Sequence, residues 1–411
     1  MNRRSFIGTS LAVALAANLR ADDAKRAPRI LLRSSWQTVN IGDIAHTPGV
    51  LALLEKHIPN AEVQLWPSSI NNGVEELLKK RFPKLVVIEK TPEGLKKAFE
   101  HNDFLLHGSG PSLVAASDVA KWRKEANKPY GVYCITVANA DEKTIDLLNG
   151  AKFVFFRDSV SMKNAIEKGL KVPIAEFGPD GAFATDLRND AAASAFMQAN
   201  GLEDGKFLCC IPRLRTTPYW KIHGKEMSEK DKANHANNEK WKEHDHAQLR
   251  AAIVAVLKET QMKVLLCPED QSQMDVGKEL LFDPLPAELK SRVVWREKYW
   301  LTDEALSTYL RSAGLFGNEM HSPIMCIGNG IPAVVCRWHQ QTSKGFMWRD
   351  IGLGEWLFDM DDEASIPGIV PAVLAIAKDP AAAKEKAARG RAFVEKRQRE
   401  TMAILAKEVG A

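Results

Sequence analysis

Several features are scarce or missing in this sequence, and each absence excludes a class of protein. No run of 18 or more apolar residues occurs in the 411-residue chain, so it contains no stretch able to form a single spanning helix. Neither sign of charge dominates: 56 Lys and Arg face 52 Asp and Glu, for a net charge of +4, which argues against a dedicated nucleic-acid binder. Cysteine is sparse. The six are Cys134, Cys209, Cys210, Cys267, Cys326 and Cys336, and no two form Cys-x-x-Cys. Most sit in apolar runs such as residues 207–211, so buried free thiols are expected rather than a disulfide framework. No self-similar period of 20–50 residues is visible, which excludes a solenoid. What is present, 45% hydrophobic and 26% charged residues, is the composition of a globular protein too long for one core.

Residues 1–21 read as a removable export signal. Arg3-Arg4 with Phe6 two positions on is a twin-arginine pattern, followed by a short apolar region and the small-residue site Ala14-Leu15-Ala16. That segment holds three Arg and no acid, so its loss takes the net charge from +4 to +1. The expected location is the bacterial periplasm or cell envelope.

From Arg29 onward, apolar runs alternate with amphipathic stretches. Strands are expected at 30–33, 62–66, 85–88, 104–107, 130–136 and 152–156. After an Ala-rich stretch at 186–205 the rhythm restarts at 207–211, 264–267, 293–295, 315–317 and 332–336. This alternation predicts an α/β protein of two Rossmann-like, doubly wound parallel-sheet domains facing across a cleft, at 29–188 and 189–371, with helices at 372–411 bracing them. Ligands in such folds bind outside the carboxyl ends of the strands. Residues 221–247, rich in Lys, Glu, Asn and His, interrupt the second domain. They read as a solvated surface loop or helix, with a mobile lid as the functional alternative.

Polar loops fall where a ligand should lie. Asn40-Ile41-Gly42-Asp43 follows the first strand, and a helix start there suits an anion or polar ligand, or a simple cap. Gly108-Ser109-Gly110 follows the fourth strand, Arg157-Asp158-Ser159 the sixth, and Gly178-Pro179-Asp180 comes next. In the second half lie Arg213-Leu214-Arg215 and Glu319-Met320-His321-Ser322-Pro323, with Ser322 placed as a helix cap, and then Lys344. His321 is the one histidine set at the mouth of a helix facing the cleft. The histidines of the insertion, His223, His235, His244 and His246, read as solvated, and neither a metal site nor a bound cofactor is assigned. Tryptophans such as Trp338 and Trp348 read as core, with sugar stacking the minor alternative.

The order of these loops resembles the polysaccharide pyruvyl transferase family. The resemblance spans roughly residues 30–355 and includes Ile331-Pro332-Ala333-Val334-Val335, Lys344-Gly345-Phe346 and Asp350-Ile351-Gly352-Leu353. It implies a fold like the GT-B glycosyltransferases and transfer of a pyruvyl group from phosphoenolpyruvate, as co-substrate, to a glycan sugar hydroxyl as a ketal. By the match, His321 is the general acid and Arg213 the phosphate or carboxylate clamp. Lys344 is a secondary anion contact, and Asn40, Gly42, Asp43, Gly108, Ser109, Gly110, Arg215, Glu319 and Ser322 lie around the substrates.

Two features depart from that pattern. The family commonly has Arg-Leu-His where this chain has Glu319-Met320-His321. A carboxylate 4 Å from an anionic donor costs on the order of 4 kcal/mol at an effective dielectric near 20, which Arg215 or Arg337 would have to offset. Phosphoenolpyruvate is also a cytoplasmic metabolite, whereas the signal directs export. Three readings follow: a pyruvyl transferase-like enzyme, another carbohydrate-active enzyme (glycosyltransferase-like or hydrolytic) on the same fold, or a glycan-binding protein without turnover.

Overall fold

The computed structural model describes residues 26–411; the export segment at 1–21 lies outside them. Two wholly parallel sheets organise the chain. The first contains β1 (Arg29–Ser34), β2 (Glu62–Pro67), β3 (Val86–Val87), β4 (Phe104–His107), β5 (Tyr130–Ile135), β6 (Val154–Phe156) and β7 (Ala175–Phe177), in the order β3-β2-β1-β4-β5-β6-β7. The second contains β8 (Phe207–Ile211), β9 (Lys263–Leu266), β10 (Val293–Trp295), β11 (Gly314–Gly317), β12 (Ala333–Arg337) and β13 (Leu357–Asp359), in the order β10-β9-β8-β11-β12-β13. Central parallel strands are covered on both faces and so must be apolar throughout. Ile30, Leu31 and Leu32 of β1 and all of β8 are accordingly buried.

Strand order reverses between β1 and β4, and again between β8 and β11. At such switch points the loops leaving adjacent strands diverge and open a crevice. These four strands carry the loops at 38–43, 108–110, 212–215 and 318–322, so topology alone collects most of the polar motifs at facing sheet edges. β7 and β13 escaped the sequence reading. Each is a three-residue edge strand, only partly buried, and lacks the apolar run that marks a central strand.

Most of residues 221–247 are helical. Residues 221–222 end a short helix at Tyr219–Ile222, 223–228 connect it onward, and the remainder belong to α2, a single 31-residue helix at Glu229–Glu259, started by a reciprocal capping box between Ser228 and Asp231. (α1 is Ile41–His57.) The last turns of α2 bury Leu249, Ile253, Val256 and Leu257, while its first half is a largely solvated extension. The histidines expected to be solvated divide. His246 is buried with Nδ1 2.6 Å from the Lys242 carbonyl, and His244 pairs with Asp245 at 2.8 Å. His244 and His246, two positions apart on one helix, point about 200° apart, so the two rings do not converge.

The chain closes with α4 (Ile369–Lys378) and α5 (Pro380–Glu408), following α3 (His321–Gly328). α5 braces both halves. Arg397 donates to the Phe177 carbonyl of β7 at 2.6 Å, Thr401 meets the Tyr133 hydroxyl of β5 at 3.3 Å, and Gly390 sits against Leu353 of the second half. All six cysteines are free and buried, and Trp338 and Trp348 are core residues.

Two of the buried histidines contribute directly to the acid sensitivity of this fold. Burial, reinforced by Arg33, depresses His107 to about 3, and burial depresses His246 to about 4. Below the ordinary value near 6.5 the unfolded chain takes up protons that the folded one refuses, so stability falls as pH drops from 6.5 toward 4. Each histidine should remove roughly 2 kcal/mol of unfolding free energy between pH 7 and pH 5. Urea midpoints across that range should fall, and a His246→Gln variant should show a shallower pH slope; an unchanged slope would refute the assignment.

Candidate functional site

The two halves meet where α1 enters the second half. The Ile41 amide donates to the Glu269 carbonyl at 2.9 Å, Asn40 forms a bridge with Asp270, and the Thr302 hydroxyl donates to the Ile41 carbonyl at 3.0 Å. Asn40 caps α1 as expected, its side-chain oxygen accepting from the Gly42 and Asp43 amides at 2.7 and 3.2 Å. Gly42 is required by proximity. A Cβ there would lie 2.6 Å from both Glu269 Oε1 and His321 Nδ1, so only glycine lets the helix start so near the second half's polar residues.

Along this seam runs a continuous polar cluster. On the first half's side, Asp180 is fully buried between two partners: Arg157 donates to Oδ2 at 2.7 Å, and His46 Nδ1 lies 2.9 Å from Oδ1. Ser109 Oγ is 2.8 Å from the same His46 nitrogen, and Arg157 Nε donates to Thr136 at 2.6 Å. Burial opposes charge on Asp180, but His46 and Arg157 outweigh it and hold the carboxyl well below its ordinary range.

On the other side, His321 Nδ1 lies 3.3 Å from Glu269 Oε1, and the Ser322 amide donates to Glu269 Oε2 at 2.7 Å. Arg213 donates to Glu319 Oε2 at 2.7 Å, and Gln273 donates to Glu319 Oε1 at 2.7 Å. Burial, with Glu269 nearby, lifts Glu319 to about 7 despite Arg213, and also raises Glu269 and Asp270. Burial and the Arg213 charge bring Lys344 down to about 8. Burial, Lys344 and His46 push His321 well below its ordinary value, so its imidazole is neutral. The rings of His46 and His321 meet edge to face with centroids 4.8 Å apart.

Of the residues anticipated from sequence, Asn40, Gly42, Asp43, Ser109, Arg213, Glu319, His321, Ser322 and Lys344 come to this seam. Several serve differently than expected. Ser322 is not the cap of α3, which begins at His321; its amide instead holds Glu269. Ser109 is completely buried beneath His46. Gly108 and Gly110 are packing positions, where a Cβ would meet Ser34 Oγ and Trp36 Nε1 at 2.9 Å each. Arg215 is committed elsewhere, with two bonds to Asp245 at 2.8 and 2.9 Å and a 2.7 Å pair with Asp361. Arg337 likewise pairs with Asp359, so neither offsets Glu319.

His46 and Glu269 were not anticipated. His46 lies inside a helix of mostly small and apolar residues, where a histidine reads as core. Glu269-Asp270 after β9 carried a usable signal, adjacent acids at the carboxyl end of an apolar strand.

The architecture defines a class first. Two doubly wound parallel sheets meeting at their carboxyl edges around a polar seam constitute a GT-B-type fold. Anabaena HepE in complex with UDP and glucose is similar over 92% of this chain and 99% of its own, with 13% identity and a TM-score of 0.58. S. aureus MnaA with UDP is similar over 92% and 95% (11% identity, TM-score 0.58), and Neisseria meningitidis UDP-GlcNAc 2-epimerase bound to UDP-GlcNAc over 92% and 100% (10%, 0.55). No curated protein matches the sequence. The family model for polysaccharide pyruvyl transferase matches residues 40–340, and the chain belongs to that family.

Asp180 anchors the first half of the seam. Asp180→Ala leaves Arg157 charged and unpaired in the interior and should lower the unfolding free energy by about 3–5 kcal/mol. Urea denaturation measures this, and a loss below 1 kcal/mol would show that the pair is not the anchor.

Proposed function

We propose that this protein is a pyruvyl transferase-like enzyme that moves the pyruvyl group of phosphoenolpyruvate onto a glycan as a ketal. One observation carries the reading beyond family membership. Arg213 Nε and Arg157 Nη2 are buried without hydrogen-bond partners among the described residues, and Lys344 lies close enough to feel both charges. Buried donors are nearly always satisfied, and an oxygen-rich anion would satisfy these.

In the proposed reaction a proton adds to the vinyl carbon, two sugar oxygens bond to the central carbon, and phosphate leaves. The two hydroxyl protons end on the new methyl group and on phosphate. Arg213 and Lys344 would hold the carboxylate and phosphate as charge redistributes. His321 would act on protons through Nε2, since Glu269 beside Nδ1 orients the ring and favours the proton there. In the free protein this neutral imidazole is a base for the attacking hydroxyl, a role that differs from the general acid implied by the family pattern.

Glu319 favours the second reading, a carbohydrate-active enzyme using another donor or a glycan-binding protein, because it occupies the Arg213 guanidinium that a donor would need. Arg213 nonetheless keeps 17% of its side chain exposed, enough for a ligand to reach it. We further propose that the twin-arginine segment places the protein, and therefore its glycan, in the periplasm or cell envelope.

Calorimetry with phosphoenolpyruvate tests the donor. Glu319→Gln removes the competing carboxylate and should tighten binding about tenfold or more, whereas Arg213→Ala should abolish it. Absence of phosphoenolpyruvate binding in both wild type and Glu319→Gln would reject the donor and favour the second reading. Replacing Arg3 and Arg4 together by Lys should retain the protein in the cytoplasm on fractionation; unchanged export would reject the twin-arginine route.

A further inference from the structure

The two histidines at the seam share an arrangement that acid–base chemistry alone does not require. Each has Nδ1 against a buried carboxylate: His46 against Asp180 at 2.9 Å and His321 against Glu269 at 3.3 Å. Each also has a buried Nε2 with no hydrogen-bond partner among the described residues. They come from different halves of the molecule, yet their rings are edge to face at 4.8 Å. Asp43, one turn before His46 on α1, completes the group. One ligand atom from each of Asp43, His46 and His321 lies within 4.8 Å of the others.

We infer that Asp43, His46 and His321 form a binding site for a divalent first-row metal ion, of which Zn²⁺ is the natural probe. A carboxylate at Nδ1 is the usual outer partner of a metal-bound histidine: it fixes the proton on that nitrogen and presents the opposite lone pair to the ion. Both histidines have such a partner, and both partners are held in turn, Asp180 by Arg157 and Glu269 by the Ser322 amide. Two imidazoles and one carboxylate suit Zn²⁺ or its neighbours in ligand type. Bonds of ~2.1 Å in a tetrahedral site set ligand atoms about 3.4 Å apart, so ion binding would draw together atoms that now lie within 4.8 Å of one another. Asp43 is the least buried of the three, half-buried and bonded to Gln37.

Three protein ligands leave a fourth position, the pattern of a catalytic rather than a structural site. This goes beyond the donor assignment. It rests on the proposed reaction only in its last step: with the ion bound, His321 Nε2 is a ligand instead of the base described above, and the ion would take over that role by making the acceptor hydroxyl easier to deprotonate. Arg213 and Lys344 would remain the donor's contacts.

The test uses the full chain, stripped with chelator and supplied with Zn²⁺ or Co²⁺ alone. Zn²⁺ should bind at about one equivalent by elemental analysis and raise the melting midpoint. Co²⁺ should give visible absorption bands of a four- or five-coordinate site. Asp43→Asn and His46→Gln should each weaken binding at least tenfold, while His235→Gln on the distant part of α2 should not. If a His46 variant fails to fold, half-buried Asp43 keeps the test decisive. Absence of Co²⁺ bands in wild type, or bands that persist in Asp43→Asn with unchanged affinity, would overturn the site. Phosphoenolpyruvate binding by the stripped protein reports on the donor separately, so either inference can fail without the other.

Discussion

A carboxylate in a protein interior stays ionised only where cations and hydrogen-bond donors replace the water it has lost, and Asp180 meets that condition through Arg157 and His46. The constraint reaches far along the chain. Arg157 stands at the end of β6, His46 on α1, and Asp180 at the entry to the short helical turn 181–184, which packs on α1 and α3. Because Asp180 must hold both partners, α1 cannot move away from the carboxyl edge of the first sheet. Because α1 is held there, its first turn enters the second half, where Ile41 bonds to Glu269 and Gly42 leaves space for His321. The two halves are thus joined by backbone hydrogen bonds and by a chain of charged groups, a closer union than a simple open cleft between domains.

On the second half's side, Glu319, Glu269 and Asp270 are all raised by burial, Glu319 further by Glu269 and Asp270 further by Glu319, while Arg213 and Lys344 lie among them. The Arg213–Glu319 pair is the distinctive element. Placing a carboxylate beside the clamp cation lowers the positive potential available to a donor, yet it also satisfies a guanidinium that would otherwise be costly to bury. The same pair therefore serves stability in the free protein and opposes anion binding, and a donor must compete with it.

The sheets were legible because parallel strands covered on both faces leave continuous apolar runs, as at Ile30–Leu32 and Phe207–Ile211. The missed strands, β7 and β13, lie at sheet edges, where short and half-exposed segments carry no such mark. For the polar loops, chain order relative to the strands was enough to locate Arg213, His321 and Lys344. It did not distinguish them from Arg215, which has the same chemistry two residues on and is spent on Asp245 and Asp361. Nor did it reveal that Ser109 would be buried under His46 rather than offered to a sugar.

By itself the sequence determined the family, the two-sheet architecture and which loops would gather at the switch points, because these depend on hydrophobic periodicity and chain order. Tertiary structure alone decided which polar side chains face one another. His46 and His321 are 275 positions apart, and nothing local to either predicts that their rings meet. That pairing follows from the closure of α1 onto the second half, made possible by Gly42 and maintained by Asp180. Closure brings His321, placed by its loop, and His46, set in a mostly apolar helix, together with Asp43.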